Sequence, residues 1–385
     1  MIVQQNISRL TYLMSLYKLT SDEILELAGQ GLKAPLSKED VFSSEIDLNI
    51  LKRIDKIFNK GLLYYQDPTI PLQSKEASIF FRKSRFGTDL NLGARKIVNN
   101  FEEYKIYLAG LAKLANLKIE RILPAFSIFN NPKEVAQIIK GLLYPEFDKN
   151  KKGFLKSLIF QLAEHNILVF EFVETWNKKE KANIDGFFLH PNVIVLKRQQ
   201  YSFRREIFTL VHELGHFLIN EEEVEKVDVA EIAINVTSAK ERWCNDFAYY
   251  FLAGDFNDTI DSINFADSSN DYHIDLIESI ADKTHLCPIA IYTRLLFEKK
   301  INQKDYNLIK KDIDEKFRLN LAKEKQQKEI DKMMGIKKGG SQPQPIRSPL
   351  LVSTIQAAFY EGLINEYEAA KRLNLRPAER NEFLI

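Results

Sequence analysis

The chain has 385 residues, 45% of them apolar, and carries 54 Lys and Arg against 53 Asp and Glu for a formal net charge of +1. That length and apolar share suit a folded chain with two or three cores, while the balanced charge makes no global case for a nucleic-acid partner. Two cysteines, Cys244 and Cys287, are too few for a disulfide-stapled secreted scaffold and make the cytoplasm the default location.

The opening MIVQQNISRLTYLMSLYKL has neither the apolar core nor the cleavage pattern of a signal peptide. It reads instead as the start of a helical bundle over residues 1–70. Ile7, Leu10, Leu13 and Met14 recur at helical spacing, as do Ile24, Leu25 and Leu27, and Thr20 with Glu23 has the spacing of a capping box. A third helix is expected over Leu48–Phe58 with Leu51, Ile54 and Ile57 inward. A connecting helical region follows over 71–145, with its longest helical pattern at 94–123 and another helix at 135–142; breaks fall at Pro124 and at Asn130 to Pro132.

The third region, 146–300, begins with a helix at 155–165. The period then changes, and 167–172, Gly186–Leu189 and 193–196 read as the strands of a small sheet. Helices are expected at 203–218, 239–252 and 274–297, the last with a break at Pro288. Residues 301–334 form a charged helix in which Lys323, Lys325, Lys328 and Lys332 are interspersed with Glu324 and Glu329, a solvated face rather than a DNA track. GGSQPQP marks a linker over 335–348, and 349–385 is a small helical module. The 26 Phe and 15 Tyr read as core filling, and no apolar run reaches the ~20 residues of a membrane span. The fold class is therefore α+β, mainly helical.

The motif that carries chemistry is LVHELGHFL. His212 and His216 are four residues apart, so a helix points both imidazoles to one side, and Glu213 beside the first can reach a metal-held water. Two imidazoles and an adjacent carboxylate are what metal-assisted peptide hydrolysis needs: ligands for zinc and a general base for the water. Gly215 leaves room for a close helix approach or a bound substrate. A catalytic zinc site usually has a third protein ligand. Glu241 in AKERWCNDFAYYFL is one candidate, and Glu222, Glu223, Asp228 and Glu231 are chemically equivalent alternatives. A second electrophile for the developing oxyanion is sought among His285, Tyr249, Tyr272 and Tyr292. Cys244 and Cys287 read as small buried hydrophobes, and Arg204 and Arg205 as salt-bridging residues at the start of the HELGH helix.

HELGH on an amphipathic helix, followed by E-x-x-C-N-x-F-A from Glu241 to Ala248, resembles the ImmA/IrrE family of zinc peptidases. The resemblance implies a zincin-like core and makes Glu241 the third metal ligand; Cys244 stands where a small residue such as Ala is usual. It extends over about residues 150–375, through the strands, the IDGF phrase at 184–187, IADKTHLCPIAIYTRL and the C-terminal AFYEGLINEYEAAKRLNL, and is most specific at 205–250. Leu286 and Cys287 replace the usual Val-Ser, while Arg294 and Leu295 are kept. LTSDEILELAG and LNILKRIDKIFNKGLLYY resemble the first and last helices of the phage-repressor helix-turn-helix domain that opens longer members. The stretch between them has few basic residues for a recognition helix, which argues for a degenerate domain used in protein contact.

What the resemblance implies is regulated cleavage of a transcriptional repressor, typically a small helix-turn-helix protein encoded nearby, under DNA-damage or mobile-element signals. Nucleic acid enters as a candidate activator or weak ligand. The strand at 193–196 is a candidate edge for pairing with the substrate backbone. Two other readings keep the metal: a DNA-associated regulator that uses the peptidase fold as a sensor, and a defence or toxin peptidase with another protein target.

Overall fold

The computed structural model describes residues 1–70, 90–174, 181–198, 200, 202–222, 238–335, 344–375 and 379, with the side chains of 317, 321, 324, 325, 328 and 332 excepted. Glu223, Asp228, Glu231, most of the expected linker and part of the connecting region therefore lie outside the described residues. So do the side chains of Lys325, Lys328 and Lys332. The chain divides into two compact units, Met1–Tyr104 with Lys179–Asn183, and Lys105–Lys178 with Ile184–Ile385.

The first unit opens with β1 (Ile2–Gln4), α1 (Ile7–Leu16) and α2 (Ser21–Gly29), the last begun by the capping box of Thr20 and Glu23. A short α3 (Lys38–Phe42) and β2 (Glu45–Asp47) follow, and β2 pairs antiparallel with β1, Ile2 opposite Asp47. Asp47 then caps α4 (Leu48–Phe58), and α5 (Leu62–Gln66) closes the unit's core of Leu10, Leu13, Ile24, Val41, Leu51, Ile54 and Tyr65. The sequence pattern located α1, α2 and α4 but neither the five-residue α3 and α5 nor the β1–β2 pair, whose strands are three residues long. Where the resemblance looks for a recognition helix, the structure has α3 and β2.

Helix α6 (Leu92–Leu114) ends earlier than the 94–123 pattern predicts. Asn116 takes a left-handed φ of 55°, and the Leu117 N–H turns back to the Ala112 carbonyl at 2.8 Å, which closes the helix whatever the polarity pattern beyond it.

The second unit is built around one buried helix. After α7 (Pro132–Leu143) and α8 (Lys151–Glu164) come three strands: β3 (Leu168–Phe172), β4 (Gly186–Leu189) and β5 (Val193–Lys197). Their order is β3-β5-β4, with β3 parallel and β4 antiparallel to β5. The strand expected to be an edge for the substrate is thus the central one, its hydrogen bonds taken on both sides; β3 and β4 are the outer strands. Ser202 caps α9 (Phe203–Ile219), whose residues 206–219 are all buried, and Asn220 ends it in a left-handed conformation. Burial on every side puts this helix at the centre of the core, with Glu206, Thr209, His212, Glu213 and His216 buried alongside its apolar residues. The sheet, α8 and α10 (Ala239–Ala253) pack against it.

The remaining elements wrap this centre: α11 (Phe256–Asp261), a 3-10 turn, α12 (Ile274–Thr284), α13 (Pro288–Phe297), α14 (Gln303–Met333), α15 (Pro349–Tyr360) and α16 (Glu366–Arg372). The expected break near Pro288 is real and lies at 285–287, with His285 left-handed and Pro288 opening the next helix, where its missing N–H is not needed. No described helix is long and apolar enough to cross a membrane.

Candidate metal centre

On α9, His212 and His216 stand one turn apart and place their Nε2 atoms 3.1 Å from each other. Glu241, in the first turn of α10, meets both: Oε2 lies 3.1 Å from His212 Nε2 and Oε1 3.0 Å from His216 Nε2. All three residues are at most 5% exposed. Ser238 positions the carboxylate by capping α10, its hydroxyl accepting the Glu241 N–H at 3.1 Å.

Helix α10 comes close enough because residue 215 has no side chain. A Cβ at Gly215 would lie 3.1 Å from both Cβ and Sγ of Cys244. Gly215 therefore faces α10, and Cys244 fills the contact as the small hydrophobe its position requires.

The donor set fits a metal ion. Each Nε2 faces a second Nε2 and a carboxylate oxygen, and one ring nitrogen has at most one proton to offer, so hydrogen bonds alone leave lone pairs opposed. Donors bound at about 2.0–2.2 Å to one tetrahedral ion stand roughly 3.3–3.6 Å apart, close to the separations seen here. Among the described residues, the three are the group of His, Cys, Asp and Glu side chains placed to hold a metal. Burial pushes the Glu241 carboxyl up, and the two imidazoles more than reverse this, holding it below the ordinary carboxylate range.

Glu213 is 2% exposed and lies on the sheet side of α9. The backbone of β4 crosses it at Gly186, where a Cβ would come within 3.2 Å of Glu213 Cγ, 3.1 Å of the Val195 carbonyl and 2.7 Å of Thr209 Cγ2. Sequence reasoning placed Gly186 in a strand without assigning it this role, and a lone glycine in a strand gives only a weak signal.

The candidates for a second electrophile have partners of their own. His285 is fully buried with its ring 4.7 Å from Phe147 and 4.4 Å from Phe154, and burial lowers its pKa to about 4. Tyr249 lies in a groove between α10 and α13, with the Arg294 guanidinium 5.4 Å from its ring, and burial raises its hydroxyl's pKa. The Tyr292 hydroxyl donates to the Tyr272 carbonyl at 2.9 Å. None of these contacts joins the metal cluster. Arg205 pairs with Asp185 at 2.6 Å and Arg204 with Asp282, as expected for salt-bridging residues. Glu222 donates nothing to the cluster; its carboxylate accepts the His190 N–H at 2.8 Å.

Residues 163–253 match the peptidase M78 family model, described as the IrrE N-terminal-like domain. The segment is an ImmA/IrrE-type peptidase domain. The match runs from the end of α8 to the end of α10, so the ImmA/IrrE-type domain contains the sheet, both helices of the cluster and all three donors. No curated protein and no solved structure matches the chain.

Proposed function

We propose that this chain is a zinc-dependent endopeptidase in which His212, His216 and Glu241 hold the metal and Glu213 is the general base. The observation that supports it is the convergence of three buried donor atoms at 3.0–3.1 Å beside a fourth buried carboxylate, inside a peptidase-family domain. Zinc, when bound, supplies Lewis-acid polarisation of the scissile carbonyl and eases ionisation of water.

Glu213 accepts the proton of the attacking water at its carboxylate and passes it to the amine nitrogen as the peptide bond breaks. Its burial beneath β4 keeps bulk water away and strengthens that exchange. The substrate backbone lies along the outer side of β4, the outer strand that passes over Glu213, and pairs with it as an added strand. The resemblance to ImmA/IrrE peptidases supports a transcriptional repressor, probed first as the small helix-turn-helix protein encoded beside the gene.

The test is cleavage of that protein by the zinc-loaded full chain, with and without single-stranded DNA, beside Glu213→Gln. Fragments are expected only with Glu213 intact. Equal fragmentation by Glu213→Gln would remove the base assignment. No fragments from a folded, zinc-bound chain would turn the proposal toward another protein target.

A further inference from the structure

A charged network buried behind the HELGH helix belongs to no ligand set. Arg198, just past β5, is 1% exposed, and its Nε donates to Glu206 Oε2 at 2.7 Å. Its other arm donates to Glu171 on β3. The second oxygen of Glu171 accepts the main-chain N–H of Ile346, at the start of the C-terminal segment that leads into α15. One guanidinium thus ties the sheet, the first turn of α9 and the C-terminal module together.

Its placement along α9 is what gives it a consequence. Glu206 and Glu213 are seven residues apart, which at about 100° per residue puts them within roughly 20° of the same face. Thr209 lies between them and donates to Gln200 at 3.1 Å, and Glu213 itself packs under Gly186. His212 and His216 point about 80–120° away from Glu206, toward α10. The polar face of α9 is therefore fixed by the sheet and its following loop, and the ligand face by α10. A buried ion network is a poor source of net stability but a strict setter of geometry, since every oxygen must meet a donor.

We infer that Arg198, bridging Glu171 and Glu206, is a positioning residue for Glu213, and that the C-terminal segment at Ile346 completes it. The inference rests on the peptidase reading for its catalytic consequence. Its structural part, the fixing of the base-bearing face of α9, stands apart from it.

The full chain is made with Glu171→Gln, Arg198→Met and Glu206→Leu together, an uncharged set that leaves Ile346 its acceptor. Cobalt binding followed by visible absorption, thermal unfolding, amide exchange over 206–213 and turnover of dye-quenched casein are then compared with the unaltered chain. Unfolding temperature and cobalt affinity are expected to hold. Exchange in the first turns of α9 should quicken, and kcat should fall about tenfold or more with KM little changed. Wild-type kcat and exchange in a folded, cobalt-binding triple variant would overturn the inference, as would loss of cobalt binding with the fold intact. If the triple variant does not fold, Arg198→Lys keeps the charge without the two-directional fork. It should show the same split, and wild-type behaviour would again overturn the inference. A casein-inactive unaltered chain counts against casein as a substrate, and amide exchange over 206–213 then judges the network by itself.

Discussion

Gly186 on β4 and Glu213 on α9 are in direct apposition: a single methyl at residue 186 would come to 3.2 Å from Glu213 Cγ and 2.7 Å from Thr209 Cγ2. The strand that runs over the proposed base can do so only where it carries no side chain. Gly186→Ala should therefore separate β4 from α9, costing about 1–3 kcal/mol and lowering turnover. Thr209→Ser removes the methyl in conflict while keeping the hydroxyl that donates to Gln200. The double variant should recover part of the lost stability in a denaturant titration, since the Val195 carbonyl and Glu213 Cγ remain close. Additive losses in the two variants would show that the strain arises elsewhere.

A parallel argument holds on the opposite face of α9. Gly215→Ala places its methyl 3.1 Å from Cys244 Cβ and Sγ, at the contact that sets the distance from His216 to Glu241. Because α10 must move outward, the expected loss is in metal affinity, roughly tenfold or more by analogy with the removal of supporting contacts around a site. Competition against a chromophoric zinc chelator measures it. Unchanged affinity would mean that α10 slides without moving Glu241.

Local signals account for what is legible in the sequence. The 3.6-residue period and end caps outline α4, α9 and α10 to within a residue or so, and the i, i+4 spacing of His212 and His216 is enough by itself to put the two imidazoles on one side of a helix. Strand order is not legible. Phe187 to Leu189 and Val193 to Leu196 are equally apolar, so nothing in either run says that Val193–Lys197 is central and Gly186–Leu189 outer. The Arg198 network is hidden for a related reason: its partners lie 27 residues before Arg198, eight after it and, through Glu171, 175 residues further along the chain. Such pairings exist only once the fold is formed.

His285 gives a prediction about pH rather than catalysis. Its ring, stacked on Phe147 and tilted against Phe154, has a pKa lowered by burial from 6.5 to about 4. Between those values the unfolded chain binds the proton and the folded chain does not, so stability rises with pH across that window. The contribution is complete above pH 6.5 and is lost as pH falls toward 4, on the order of 3 kcal/mol at most. His285→Phe should flatten this part of the stability curve measured by urea unfolding at successive pH values. An unchanged slope would show that His285 does not carry it.

Metal removal separates the ligands from the base. A ligand that binds only the folded state at about 100 times its dissociation constant stabilises it by about 2.7 kcal/mol. Zinc should therefore raise the unfolding temperature of the unaltered chain, and a chelator should reverse the rise. Glu241→Gln keeps the size of the side chain but removes the charge that opposes the ion, so most of the zinc-dependent rise should disappear. Glu213→Gln, one residue from His212 yet not one of the three grouped donors, should keep the full rise while losing peptide cleavage. A Glu213→Gln chain that loses both would place that carboxylate among the ligands, and a Glu241→Gln chain that keeps the rise would exclude it from them.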